Sequence, residues 1–459
     1  MSTSNGRRFG HAVIIGGSMA GLSAARAASD HFERVTIVER DALPTDAAHR
    51  KGVPQGHHLH GLLKRGANIL TEWFPDLMSG LAAAGAQQVN LVSELMWYQF
   101  GGWKARSNVG RMDAISVTRP TLEREVRQRV RAVPNVQVLE GNVAGLAASP
   151  DKSTVQGVIF RRAGGSADET LAADLVVDAS GRGTRLPAWL EALGRGKIKE
   201  SSFQVDVGYA TRLYKAPPEG RYPWRLMFVT GGYPDKRMGF LSPIEGGRWM
   251  CTLVGTLGEH PPTDEAGYLE FAKGLPVPDW YQAVKELEPV TDVAGYKFPS
   301  HLRRHYEAMA DFPDGLAVLG DAHCSFNPIF GQGMAIAAVG AKVLSDHLAV
   351  AGAAGAGAPP RGFSRRYQQA LARESNAPWT VSTTEDMRFP EVQGTRPFGT
   401  GFVLWYTKRL QEVATVDPGI AYAFYQVANM VAPASELMKP SVLFKVLKGR
   451  PNSPAARPG

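Results

Sequence analysis

The apolar positions of this chain follow two rhythms. Short unbroken runs, Val13-Ile14-Ile15 and Val35-Thr36-Ile37-Val38, read as buried strands, and the alanine-rich stretch Leu22 to Ser29 between them reads as a helix. Leu316 to Leu319 repeats the strand pattern, and Met334 to Val350 predicts a long apolar helix. Ser202 to Tyr214, Trp224 to Thr230 and Met238 to Thr256 have strand character with turn residues between them, and Gly246-Gly247 marks a hairpin. A Gly/Ala/Pro linker, Ala351 to Arg361, leads into a mainly helical tail in which Phe402 to Val416 and Ile420 to Met430 show mixed apolar and polar faces. The tail is expected to pack on the body and cap a pocket, in preference to membrane contact, and Arg450 to Gly459 is expected to be disordered.

The first strand runs into Gly16-Gly17-Ser18-Met19-Ala20-Gly21 and then into the helix. Strand, glycine turn and helix in this order make a phosphate site, because a helix N-terminus offers free N–H groups and the positive end of a dipole. Ser18 replaces the middle glycine of G-x-G-x-x-G; it is small, and its hydroxyl can bond a phosphate oxygen. Glu39, with Arg40 beside it, ends the second strand where an acid binds ribose hydroxyls and repels a 2′-phosphate. Gly16, Gly17, Ser18, Ala20, Gly21, Glu39 and Arg40 are therefore expected to hold FAD or NAD rather than NADP.

Two later stretches narrow the choice. Asp174-Leu175-Val176-Val177-Asp178-Ala179-Ser180-Gly181-Arg182 and Gly320-Asp321-Ala322-His323, with Pro328 and Gly331-Gln332-Gly333-Met334, complete a pattern that resembles the FAD-dependent monooxygenases of the para-hydroxybenzoate hydroxylase type. The resemblance covers roughly residues 10 to 350. It implies an α/β fold: an FAD-binding Rossmann-like domain of the glutathione-reductase type, an inserted β-sheet substrate domain and a helical C-terminal region. The flavin domain is placed at 8–84, 116–200 and 296–358, the substrate domain at 85–115 and 201–295, and the helical region at 362–449.

By the same resemblance Asp321 binds the ribityl chain and Pro328 lies near the isoalloxazine. Gly331, Gln332, Gly333 and Met334 open a helix toward its pyrimidine end, where reduced flavin carries negative charge. Arg50, in Arg50-Lys51-Gly52-Val53, is brought to the pyrophosphate, the alternative being a solvated basic loop. Arg119, before Pro120 at a helix start with Glu123 and Glu125 in the early turns, faces the cofactor or else the surface.

The chain is most similar to a subset that includes the polyether-antibiotic flavin epoxidases of the monensin and lasalocid type. It shares with them Gly-Gly-Ser-x-Ala-Gly, Gly52 to Gly61 (Gly-Val-Pro-Gln-Gly-His-His-Leu-His-Gly), Asp178 to Arg182 and Asn327 to Gly333. It departs from the wider family at Ser180-Gly181, where the Asp-Gly motif loses its acid. Direct reduction by NAD(P)H is thereby in doubt, and a partner reductase or free reduced flavin is the other electron source. Arg182 or Arg185 takes over the motif's closing arginine, which otherwise falls at Pro187.

Composition sets limits without changing this picture. The 459 residues permit two to three domains, and 44% hydrophobic with 20% charged residues is an ordinary globular balance. The net charge of +8 is spread along the chain with no basic run interleaved with aromatics, so no nucleic acid is expected; a dinucleotide, a carboxylate substrate or an acidic carrier protein uses it equally well. Cys251 and Cys324 form no disulfide framework and suit a reducing, cytoplasmic compartment. Met1 to Gly10 lacks a signal-peptide core, and no apolar run is read as approaching the ~20 residues of a bilayer span.

His57, His58 and His60 lack a set of partners at metal-ligand spacing, so no metal is assigned; the resemblance places them near the flavin edge. His323 reads as structural. The resemblance implies that reduced FAD and O₂ give a C4a-hydroperoxide whose distal oxygen passes to an apolar, alkene-containing secondary metabolite of polyketide type, free or carrier-bound. A dry pocket suffices for epoxidation, and no catalytic residue is assigned. Candidate lining residues are Trp97, Tyr98, Phe100, Trp103, Phe203, Tyr209, Phe228, Phe240 and Trp249, each of which is otherwise plain core. The competing readings are a prenyl or alkene reductase, since geranylgeranyl reductases carry a similar Asp-Ala-Ser-Gly segment, and a non-catalytic prenyl-binding protein. Flavin halogenases rank lower because no Trp-x-Trp-x-Ile-Pro segment is present.

Overall fold

The computed structural model describes residues 9–353 and 357–449. Phe9–Ile15 is a central strand of a seven-stranded sheet, paired in parallel with Leu175–Asp178 on one side and Phe32–Glu39 on the other. Leu316–Val318 closes one edge in parallel, while Val136–Ala148 continues the other and turns antiparallel into Val155–Arg162 and Glu169–Ala172. Strand alternation sends Ala12 and Ile14 into one core and Val13 and Ile15 into another, so the sheet is covered on both faces. That is why these strands read as continuous apolar runs. Met19–Ser29, whose Ala24, Ala25, Ala27 and Ala28 are fully buried, packs closely on the long helix Gly333–Ala353.

Gly333–Ala353 corrects one expectation. At 21 residues and a mean hydropathy of 1.4 it is long and apolar enough to cross a membrane by length and composition. It lies instead in the core, with Ala335, Ala341, Leu344 and Leu348 fully buried. A helix hydrophobic all round is equally a core helix.

The second sheet has eight strands in the order Cys324–Ser325, Ala294–Arg304, Glu200–Lys215, Arg248–Gly255, Arg237–Ile244, Leu226–Val229, Leu95–Gln99, Gly102–Trp103. Its pairs are antiparallel except Leu226–Val229 with Leu95–Gln99. Gly246 (φ 74°) and Gly247 (φ 63°) turn the hairpin, a left-handed conformation that suits glycine. One face of the sheet, with Trp103, Trp249 and Leu253, is covered by Glu265–Lys273 and Asp279–Val284 through Tyr268, Phe271 and Trp280. The opposite face carries Phe203, Tyr209, Met238 and Phe240 toward Leu59 and Ile329.

The tail forms helices Phe363–Asp386, Thr400–Val413, Pro418–Ala428 and Pro440–Lys448. The first completes the exposed edge of Leu316–Val318: Ser364 Oγ accepts from Leu316 N (3.1 Å) and Gln368 Oε1 from Val318 N (3.2 Å). The next two pack Tyr406, Leu410, Ile420 and Tyr425 against Val89, Leu95 and Leu226, and leave Phe402 and Trp405 on the outer surface. The expectation for 450–459 lies outside the described residues.

Candidate flavin site

The glycine turn closes tightly. Gly16 has φ 102° and hydrogen-bonds from its N–H to Val38 O at 2.9 Å. A Cβ on Gly21 would stand 1.7 Å from Gly16 O, so only glycine lets the helix approach the turn here. Glu39 is buried; its Oε2 accepts from Gly17 N at 2.6 Å and its Oε1 from Asp41 N at 3.0 Å. Ser18 stands at the helix N-cap position, but its Oγ turns away from the helix N–H groups, donating to Glu123 Oε2 (3.0 Å) and accepting from Arg119 Nη2 (2.9 Å). Arg40 is exposed and takes no place in this cluster.

Arg50 and Arg119 are neither solvated nor on the surface. Arg50 lies 2.5 Å from Glu123 Oε1, 3.6 Å from Glu39 and 3.8 Å from Asp41. Arg119 meets Glu123 Oε2 at 3.1 Å, and Arg127 approaches Oε1 at 3.6 Å. Burial pushes the Glu123 carboxyl up, but Arg119 and Arg50 outweigh it and hold its pKa below the ordinary value. Beside the glycine turn stand guanidinium groups bridged by one buried carboxylate, an arrangement suited to receiving a pyrophosphate. Sequence reading gave Glu123 only a helix-dipole role; its four-residue spacing from Arg119 was the available signal.

The third stretch closes on the first. Gly320 (φ 63°) leaves no room for a side chain, since a Cβ there would lie 2.7 Å from that of Ala20. Asp321 follows, half-buried and without a hydrogen bond to any described residue; burial raises its pKa, with Arg119 and Arg182 opposing. Pro328 opens a short turn capped by Asn327, and Gly331 (φ 66°) ends it. Gln332 is buried, and its Oε1 has no partner among the described residues. Gly333 begins the helix; the Met334 side chain lies in the core, so only its backbone belongs to the site.

The middle stretch supports rather than lines. Asp178 is fully buried and accepts from Ser180 N (2.9 Å), Ser180 Oγ (2.6 Å) and Thr184 Oγ1 (2.5 Å). Arg182 donates to Ser300 Oγ (2.7 Å) and Ser325 Oγ (3.1 Å), whereas Arg185 lies over Trp189.

The three histidines diverge. His57 stacks on His49 at 3.6 Å. His58 Nδ1 meets Thr211 Oγ1 at 2.8 Å, its Nε2 is buried without a partner among the described residues, and its pKa is pushed down to about 3 by burial and then by His60. His60 Nδ1 donates to His58 O at 2.9 Å, and burial followed by Arg119 lowers its pKa to about 4. Facing this loop, Tyr209 and Tyr296 approach His58 with ring centroids at 5.7 Å. His58 is therefore neutral at pH 7, and burial moves the Tyr209 and Tyr296 phenols still further from ionisation.

Below Pro328 is a buried relay. Asn327 N donates to His301 Nδ1 (3.2 Å), which leaves Nε2–H to donate to Asp386 Oδ2 at 2.6 Å; Asn327 Nδ2 also reaches Asp386, at 3.1 Å. The tail helix thus holds the loop through Asp386, which sequence reading missed because the two lie 59 residues apart.

A dinucleotide turn, buried arginines, and an acid and an amide oxygen without partners among the described residues stand together at a helix start. A family model described as FAD dependent oxidoreductase matches residues 12–188. Protein Rv3254 of Mycobacterium tuberculosis (strain ATCC 25618 / H37Rv) is 32% identical over 446 residues, covering 94% of this chain and 91% of that protein. The chain belongs to this family of FAD-dependent oxidoreductases.

Solved structures share its fold. A flavoprotein/dehydrogenase from Cytophaga hutchinsonii superposes with a TM-score of 0.67 at 17% identity, over 95% of this chain and 97% of that one. The flavin-dependent brominase Bmp2 gives 0.65 at 14%, over 95% and 97%. p-Nitrophenol 4-monooxygenase PnpA from Pseudomonas putida DLL-E4 gives 0.64 at 14%, over 93% and 99%. The residues present fit FAD: the open partners are an acid (Asp321), an amide oxygen (Gln332) and a free helix N-terminus.

Proposed function

We propose that this protein is an FAD-dependent monooxygenase that adds one oxygen atom to an apolar, alkene-containing secondary metabolite of polyketide type, by epoxidation or hydroxylation. The observation that carries this reading is the wall beside Pro328: Leu59, Phe228, Phe240, Tyr296 and Ile329 share one apolar cluster with Met387 and Phe389 of the tail. Bound FAD, once reduced, supplies the oxygen-activating chemistry.

The chain's own residues bind and exclude. Gly16 to Gly21, Arg50 and Arg119 would hold the pyrophosphate, Glu39 the adenosine ribose and Asp321 the ribityl chain. The N–H groups of the Gly333 helix start would favour negative charge on the reduced flavin. The aromatic wall and the tail keep water from the reacting carbon, and the neutral Tyr209 and His58 offer hydrogen bonds without an ionised base. Arg40, exposed, is the weakest member of the cofactor set. Electrons come from NAD(P)H, directly or through a reductase; the engagement of Asp178 with Ser180 and Thr184 supports the reductase route. The buried free thiols Cys251 and Cys324 support a cytoplasmic setting.

The test is to reduce FAD-loaded protein without oxygen, add a polyene substrate, and admit ¹⁸O₂. A product carrying one ¹⁸O atom, with matching oxygen uptake, is expected. A saturated product without label, formed without oxygen uptake, refutes oxygen transfer and establishes the reductase.

A further inference from the structure

Lys104 has no solvent exposure, yet no carboxylate among the described residues pairs with it. Among the described residues its Nζ has one hydrogen bond, to Gln99 Oε1 at 3.1 Å. Its other neighbours are the ring of Trp97, with the centroid 4.8 Å away, and that of Phe424, at 5.1 Å. Glu385 is the acid that acts on it electrostatically, but Glu385 is engaged by Arg388 at 2.6 Å. An ammonium has three donors, and enclosing it with most of them unused costs several kcal/mol unless an anion arrives. Burial accordingly lowers its pKa from the ordinary lysine value to about 7.

The side chains around Lys104 are less enclosed than the lysine itself. Trp97, Gln99, Phe228 and Phe424 lie between the second sheet and the tail helices, yet each is only half-buried. Aromatic contacts run inward from Lys104: Trp97 to Phe228 at 5.8 Å and Phe228 to Phe240 at 5.2 Å, in the cluster shared with Leu59 and Ile329. The row leads from the lysine to the Pro328 loop.

We propose that Lys104 anchors a carboxylate at the end of the substrate remote from the flavin, so that the protein selects apolar chains bearing a terminal acid. Trp97 and Phe424 clasp the adjoining methylenes, and Gln99 orients the ammonium. This deepens the monooxygenase reading and rests on it for the identity of the pocket.

The test uses FAD-loaded protein in its oxidised form, with dodecanoate and dodecan-1-ol as probes, titrated by calorimetry and by Trp fluorescence. The wild type is expected to bind dodecanoate at least tenfold more tightly than the alcohol. Lys104→Met loses that preference and keeps alcohol binding, and Lys104→Arg retains part of it; FAD content reports whether each variant is folded. Equal affinity for both probes in the wild type, or a preference that survives in Lys104→Met, overturns the proposal. Because no turnover is involved, acid selectivity with no ¹⁸O incorporation would sink the oxygenase reading and leave the anchor standing, and the reverse outcome would do the opposite.

Discussion

Replacing Lys104 by methionine isolates the cost of keeping an amine in this core. The side chains are similar in length, so packing changes little. Burial lowers the pKa of the amine from the ordinary 10.5 to about 7. At pH 7 the unfolded lysine is protonated and the folded one about half so, a penalty of roughly 4 kcal/mol; at about pH 10 it falls to roughly 1 kcal/mol. The unfolded chain binds more protons than the folded chain between these pKa values, so wild-type stability rises with pH across that window. Methionine removes this titration and forfeits the Gln99 hydrogen bond, about 1 kcal/mol at either pH. The variant should therefore be more stable than wild type at pH 7 by roughly 3 kcal/mol and nearly equal at about pH 10. At roughly 2 cal/mol/K per residue, 459 residues convert this change to a difference of about 3 °C in Tm between the two pH values. Differential scanning fluorimetry of both proteins, with excess FAD and one scan rate, measures it. A Tm gap that does not vary with pH, or a wild type more stable than the variant at pH 7, refutes the idea that Lys104 is an uncompensated buried amine.

Three further outcomes follow from the flavin cradle and the buried histidines. Glu123→Gln leaves Arg50, Arg119 and Arg127 without their shared acid; it should destabilise the FAD-free protein by about 3–5 kcal/mol and the FAD-bound protein by less, read as Tm with and without added FAD. Gly320→Ala puts a Cβ 2.7 Å from that of Ala20 at a positive φ, so the purified variant should lose most of its FAD, measured as flavin fluorescence released on denaturation. His58, His60 and His323 have pKa values of about 3, 4 and 3, so they stay neutral when folded and protonate when unfolded. Stability should fall on acidification from about pH 6.5 toward 4, by about 1.4 kcal/mol per pH unit for each histidine; His323→Phe should lessen the slope of Tm against pH.

What could be read in the chain alone was whatever depends on neighbours in sequence. Val13 to Ile15, Gly16 to Gly21 and Glu39 form one strand-turn-helix-strand unit, and the constraint on Gly21 arises within six residues, from the carbonyl of Gly16. The Gly246-Gly247 hairpin and the Pro120 helix start are local for the same reason. The division of the aromatic candidates was not legible. Tyr209, Phe228 and Phe240 face the flavin loop while Trp103 and Trp249 face the outer helices, because register and the side on which helices pack are set by distant segments. The apolar helix Gly333–Ala353 has the composition of a membrane span, and only its enclosure by Met19–Ser29 and the tail makes it core. Apart from the i,i+4 pair Arg119–Glu123, the charge relations belong to the tertiary level: Arg50 on Glu123, Asp386 beneath Asn327, and Lys104 between Trp97 and Phe424. A side chain's pKa and partners depend on burial and on charges a few ångströms away, and folding brings those charges from segments that are far apart in the chain.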